Sequence, residues 1–289
     1  MLPDDAEPFH TRAGILVDDP GHPHDLAHLM EEVLERVEMP VPDNVRHWLQ
    51  RDFFAFHLKT YSKSRRKAPI YWPLSTPSAS YSVWCYYHRL TRDTFFRVAN
   101  DYVTPKVDHE ERKLNTLQQE TGPDLSSKQR KDIDAQENFV AELRTFKTEV
   151  IRIAPLWNPN LNDGVIINFA PLWRIVPQNK KWQKECKKIW DKLVKGDYDW
   201  AHLAMHLWPE RVVPKCSDDC SLAIAHGLEG DFWYEDDESK WKKRQVSDDL
   251  ITKLVAERSS KAVKAALKDL LEAPAPTGGS TRKKRKARS

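Results

Sequence analysis

Glycine is scarce: the chain has nine in 289 residues, and none of them forms a Gly-x-Gly. That excludes the glycine-rich turns that cradle nucleotide phosphates after a strand. Four cysteines, Cys85, Cys186, Cys216 and Cys220, are too few for a disulfide framework in a chain this long. No apolar run approaches the roughly 20 residues of a membrane span. The segment Met1-Leu2-Pro3-Asp4-Asp5 lacks the basic-then-apolar order of a secretory signal. With a mean hydropathy of −0.69 and 31% charged residues, the expectation is a soluble, cytoplasmic protein with no membrane partner. Nucleophile elbows, phosphate loops and nuclease metal motifs are missing as well.

Charge is plentiful but segregated. The formal net charge is +3, yet six bases and no acid lie between Pro276 and Ser289, so the remaining chain is net −3. Residues 1–45 hold eleven acids against Arg12 and Arg36, whereas residues 46–106 hold eleven bases against Asp52, Asp93 and Asp101. Such neighbours can bind DNA through the basic block, or they can neutralise each other.

The basic block contains the most distinctive stretch. Lys63, Arg65, Arg66 and Lys67 immediately precede Tyr71 and Trp72, and a second aromatic run follows with Trp84, Tyr86, Tyr87, His88 and Arg89. The two runs read as paired strands, with Pro77 and its flanking serines supplying the turn. A basic stem beside exposed rings suits a phosphate backbone and base faces. The competing reading is a hydrophobic hairpin buried under helices, with a solvated basic flank.

The chain as a whole is expected to be α+β and mostly α: a helical domain with a small antiparallel β-hairpin and a protruding antiparallel helical arm. Residues 1–23 read as an extended acidic arm with no element of its own. Residues 24–103 read as helices plus the basic and aromatic hairpin, the first helix capped by Asp25. Residues 104–154 read as the helical arm, its second helix opened by a capping box at Ser126 and Gln129. On the first arm helix Val103, Val107, Leu114 and Leu117 repeat like a heptad, and Glu110 stands where an apolar residue is expected. Residues 155–272 form a C-terminal helical domain. Within it Val165–Phe169 and Leu172–Val176 read as possible short strands, Gly196 as a left-handed helix stop, Asp199 as a helix start, and Ser247 to Leu271 as one amphipathic stretch. Residues 273–289 form a basic tail with too little apolar surface to order itself.

Several words resemble one family. Ser-Lys-Ser-Arg-Arg-Lys-Ala-Pro-Ile-Tyr-Trp-Pro-Leu-Ser-Thr (62–76), Tyr-Tyr-His-Arg-Leu (86–90), Asn-Asp-Tyr-Val-Thr-Pro-Lys (100–106), Leu-Asn-Asp-Gly-Val (161–165), Ala-Pro-Leu-Trp-Arg (170–174), Asp-Tyr-Asp-Trp-Ala-His-Leu-Ala (197–204) and Ser-Leu-Ala-Ile-Ala-His (221–226) occur in order. Together they resemble the C-terminal region of PglX-like adenine-specific DNA methyltransferases of BREX-type phage defence, and of related single-chain restriction-modification enzymes. The resemblance spans about residues 14 to 232. It implies double-stranded DNA as a partner, with Lys63, Arg65, Arg66 and Lys67 on phosphates and Tyr71, Trp72, Tyr87, His88 and Arg89 beside them. It also implies a methyltransferase catalytic domain or other defence-system subunits as partners.

The family's catalytic loop is Asn/Asp-Pro-Pro-aromatic and receives a flipped adenine. This sequence has no Pro-Pro pair, and Asn158-Pro159-Asn160-Leu161 only mimics the loop's start. The chain alone is therefore expected neither to bind S-adenosylmethionine nor to methylate DNA, the cofactor belonging to a catalytic domain elsewhere. The abrupt start before Gly14 reads as a truncated or split polypeptide, or as a gene remnant. A docking scaffold working through the 104–154 arm is the alternative of a different class.

His202 and His206, one helical turn apart, with Cys216 and Cys220 downstream, form a conceivable zinc set. The Cys-x3-Cys spacing is loose for zinc, and core histidines with buried thiols read the same way. Asp197, Asp199, Glu210, Asp218 and Asp219 suit helix caps better than acid–base pairs.

Overall fold

The computed structural model describes residues 13–41, 43–60, 71–120, 126–176 and 180–274. Strand β1 (Ile15–Asp18) leads into helix α1 (Leu26–Arg36), whose first turn is capped by Asp25 accepting from the His28 N–H at 3.3 Å. Helix α2 (Val45–Trp48) runs through a π-helical turn (Leu49–Phe53) into α3 (Phe54–Thr60). Strands β2 (Tyr71–Ser75) and β3 (Ser82–Tyr86) then pair antiparallel, as expected.

The sheet has a third strand. β1 pairs with the other edge of β3, with Ile15 opposite Cys85 and Val17 opposite Val83. Residues 13–18 are therefore a sheet edge and not an elementless arm. All four residues of β1 are buried, so the run has no polar alternation by which a strand is recognised. One face of the sheet packs Leu16 and Trp84 against Leu26, Val45 and Leu49 of α1 and its successors. The other packs Ile15, Val17, Trp72, Leu74, Val83 and Cys85 into the main core. The hairpin is thus a middle layer, enclosed on both sides.

Helix α4 (Thr94–Arg97) continues through a second π turn (Val98–Val103) into α5 (Thr104–Glu120), which pairs with α6 (Ser127–Ile153). The capping box at Ser126 and Gln129 forms as expected. Glu110, the polar intruder in the heptad pattern, is only 4% exposed. Its carboxylate accepts from Gln136 Nε2 at 2.8 Å and pairs with Lys106 at 2.8 Å, so the arm's polar intruder is satisfied across the pair. Toward the tip from Glu110 and Gln136, none of the described residues 111–120 and 126–135 is buried.

The acidic and basic blocks meet inside the fold. Arg46 pairs with Asp18 and, at 2.6 Å, with Asp25, while Lys106 pairs with Asp19 at 2.6 Å. Neutralisation between the blocks is real for these five groups. Arg89, Arg92 and Arg97 stay exposed.

After 3₁₀ turns at Ala154–Leu156 and Leu161–Asp163, helix α7 (Val165–Phe169) and another 3₁₀ turn (Ala170–Ile175) occupy the segments expected as short strands. The reason is local: the Asn168 carboxamide donates back to the carbonyls of Asn160 and Gly164, closing turns that an extended chain could not make. Helix α8 (Lys180–Lys195) ends at Gly196, φ +92°, as expected. The remainder is α9 (His202–Leu207), α10 (Pro209–Cys216), α11 (Cys220–Ala225), α12 (Glu229–Phe232), the two-stranded hairpin β4 (Trp233–Glu235) and β5 (Trp241–Lys243), α13 (Asp248–Arg258) and α14 (Lys261–Glu272). The amphipathic stretch over 247–271 is two helices, because Ser260 turns its hydroxyl onto the Val263 N–H and opens a new helix. These elements enclose a second core around Leu203, Leu207, Val213, Phe232, Leu254 and Leu267. The whole is an α+β fold, mostly helical. Among the described residues no helix is long and apolar enough to cross a membrane.

Candidate functional site

Lys63, Arg65, Arg66 and Lys67 lie outside the described residues; the described chain leaves α3 at Thr60 and resumes at Tyr71. At that point a ladder of rings begins. His57 stacks on Phe53 at 5.5 Å and meets Tyr71 edge-on at 5.9 Å, Tyr71 stacks on Tyr86 at 5.0 Å, and Tyr86 meets His88 at 5.5 Å. His88 and Arg89 are exposed at its end. Arg89 is held by a close backbone approach. Gly14 has φ +65°, and a Cβ there would stand 2.5 Å from Arg89 Cβ.

Trp72 and Tyr87 are not surface rings. Trp72 is fully buried and stacks on Phe169 at 4.1 Å. Tyr87 is 5% exposed. Neither offers a face to a nucleic-acid base, because the same apolar area that suits stacking is already spent in the core. Of the rings expected beside DNA, Tyr71 is half-buried and His88 is exposed.

Tyr87 instead enters a polar network that reaches across the chain. Its hydroxyl donates to the Leu161 carbonyl at 3.3 Å and accepts from Asn168 Nδ2 at 3.2 Å. Burial first, with Asp163 adding to it, pushes the phenol's pKa up against the opposing Asn168 hydrogen bond. Asn168 Oδ1 accepts from the Asn160 N–H at 3.0 Å. Three residues along, the buried Asp163 carboxylate pairs with His202 Nδ1 at 2.8 Å and accepts from the Leu203 N–H at 3.4 Å. The His202 ring lies 5.9 Å from that of His226, and His226 Nε2 bonds the Asp199 carbonyl at 2.6 Å. Asp199 holds Arg211 at 2.8 Å and Lys215 at 2.7 Å. The network thus joins residues 86–90, 161–168, 197–204 and 221–226.

Its chemistry is that of an anchor. A buried carboxylate holding a half-exposed imidazole is the orienting half of an acid–base pair. The imidazole, however, meets the Asp163 carboxylate and the His226 ring, and among the described residues no serine hydroxyl or cysteine thiol is hydrogen-bonded to it. The loop that mimics a methyltransferase's adenine-receiving turn is spent the same way. Both backbone polar groups of Asn160 bond Asn168, and Asn160 Oδ1 accepts from the Asn162 N–H at 3.0 Å. The polar groups of Asn160 are thus engaged within the loop itself.

The zinc set does not assemble. His202 turns to Asp163, His206 Nε2 bonds the Pro155 carbonyl at 3.3 Å, and Cys216 Sγ points to the Val212 carbonyl at 3.4 Å. Burial pushes the Cys216 thiol up to about 11. Among the described residues no group of three or more His, Cys, Asp or Glu is placed to hold a metal ion. Helix spacing alone put the pairs one turn apart, but packing turned them to different neighbours. Of the acids, Asp219 caps α11 through the Leu222 N–H at 3.1 Å, and Asp218 pairs with Lys243 at 2.6 Å. Asp199 starts no helix; α9 begins after Ala201.

A cavity of about 250 Å³ opens beside the sheet, lined by Asp19, His22, Asp101, Tyr102, Lys106 and His109 among others. Its main charges are already matched, Lys106 lying 2.6 Å from Asp19 and 2.8 Å from Glu110.

Asn168 and Asp163 are the hubs that sequence reasoning missed. Asn168 had a signal, as the one polar side chain inside Val165-Ile166-Ile167-Asn168-Phe169. Compared with known proteins, the chain matches no family model and no curated protein.

Proposed function

We propose that this chain is the DNA-contacting portion of an adenine-specific DNA methyltransferase of a phage-defence or restriction-modification system, working with a catalytic domain on another stretch of polypeptide. One observation carries the reading. Four of the words behind the resemblance, at 86–90, 161–165, 197–204 and 221–226, lie far apart in sequence yet are hydrogen-bonded into one network through Tyr87, Leu161, Asp163, His202 and His226. In this reading the network fixes β3 and the exposed His88–Arg89 corner against the C-terminal half, and Lys63, Arg65, Arg66 and Lys67 engage phosphates. Fluorescence anisotropy on a duplex over a salt series tests it. Reversing those four charges to Glu is expected to weaken binding and reduce the salt slope by about 3–4. Unchanged affinity and slope would sink the contact.

A second reading has its own observation. Among the described residues of the outer half of the α5–α6 arm, 111–120 and 126–135, none is buried, which suits a lever that docks another subunit. Co-purification with a methyltransferase core, with and without residues 111–135, separates the two. Loss of the partner without loss of DNA affinity favours docking.

A further inference from the structure

We infer that the outer face of α8 is a second duplex-DNA contact surface. Helix α8 carries seven lysines and two acids in sixteen residues. Its Trp182, Cys186, Trp190 and Leu193 are buried, and Lys180, Lys181, Lys184, Lys187, Lys188 and Lys195 are exposed on the opposite side. Lys181, Lys184, Lys188 and Lys195 follow helical spacing along one ridge, about 21 Å long at the α-helical rise. The one acid on that ridge, Asp191, is taken by Lys187 at 2.7 Å. Among the described residues, Lys184, Lys188 and Lys195 have no acidic partner. Unmatched like charges one turn apart destabilise a helix, so the ridge costs stability that a polyanion would return.

The chemistry narrows the partner. A membrane-surface helix needs an apolar face to insert, and that of α8 is already committed to both cores. A single strand needs exposed rings for stacking, and both tryptophans of α8 point inward. What remains is a line of point charges, suited to the line of phosphates on a duplex, which carries a charge every 1.7 Å or so of axis. The choice of duplex DNA over other polyanions rests on the reading above, whereas the surface itself does not.

The test uses the full chain and a 30-base-pair DNA duplex, read by anisotropy between 50 and 200 mM salt. The triple variant Lys184→Gln, Lys188→Gln, Lys195→Gln is expected to bind at least tenfold more weakly at 50 mM salt, with the salt slope reduced by about 2–3. Because all three side chains are exposed and unmatched, a thermal midpoint equal to or slightly above that of the wild type is expected and serves as the folding control. Wild-type affinity in the triple variant overturns the inference, even where charge reversal at residues 63–67 abolishes binding and so leaves the earlier reading standing. Loss in the triple variant with none at 63–67 does the reverse. Equal or tighter binding of duplex RNA, a single strand or phosphatidylglycerol vesicles overturns the assignment to duplex DNA.

Discussion

Asn168 uses one buried carboxamide to make four hydrogen bonds, with Asn160, Gly164 and Tyr87, so its loss leaves several buried groups unsatisfied at once. Asn168→Ala is expected to cost about 2–4 kcal/mol in urea unfolding, and Asn168→Asp to cost nearly as much, since a carboxylate cannot donate to those carbonyls. Gly14→Ala is expected to cost about 1–3 kcal/mol, from a positive φ and the Arg89 contact. Its heteronuclear NMR spectrum should show the change centred on residues 86–90. His206 and His226 set a pH dependence. Burial holds both imidazoles below their ordinary value, against the hydrogen bonds that each makes to a backbone carbonyl. A histidine with a depressed folded pKa takes up its proton more readily when unfolded, so its contribution is complete above about pH 6.5 and falls as the solution is acidified. The urea midpoint is expected to drop between pH 7.5 and 5.5, and a His206→Gln, His226→Gln double variant to show a shallower drop.

At the scale of elements, the arm shows how a single polar residue sets a register. Glu110 interrupts the heptad, and the pattern alone leaves it as a fault. The fold answers it with Gln136 and Lys106 from both arm and root. Glu110→Ala leaves Lys106 with Asp19 alone and Gln136 with only the residue-110 backbone carbonyl, and is expected to destabilise by about 1–2 kcal/mol. Hydrogen exchange should locate the loosening in α5 and α6, with the three-stranded sheet unaffected. Elements with strong local signals were legible: α1 from Asp25, α6 from its capping box, α8 from its tryptophan stripe and Gly196. Elements without them were not. β1 has no alternation because both its faces are covered, and α7 looks like a strand because its turn is made by a side chain and not by periodicity.

For the molecule as a whole, the two cores are joined by buried charge. Glu149 of α6 pairs with Arg174 at 2.7 Å and with Arg152 at 2.6 Å, Arg152 also holds Asp269 of α14, and Arg174 bonds the carbonyls just after that helix. Arg174→Ala would leave Glu149 with a single cation in a buried site, at an expected cost of about 3–5 kcal/mol. Amide exchange in α14 should rise most, because its C-terminal end loses its attachment.

Composition and spacing by themselves determined that this chain would be mostly helical, where several helices begin and stop, and that positive charge would be concentrated in a few stretches; each of these depends on neighbours within one or two turns. The tertiary structure alone decided which aromatics face inward, that acids of the first block meet bases of the second, that the histidines and cysteines point to different partners, and that four distant words share one network. Those outcomes depend on contacts between residues tens of positions apart, where burial and hydrogen-bond satisfaction, and not local spacing, select the partner.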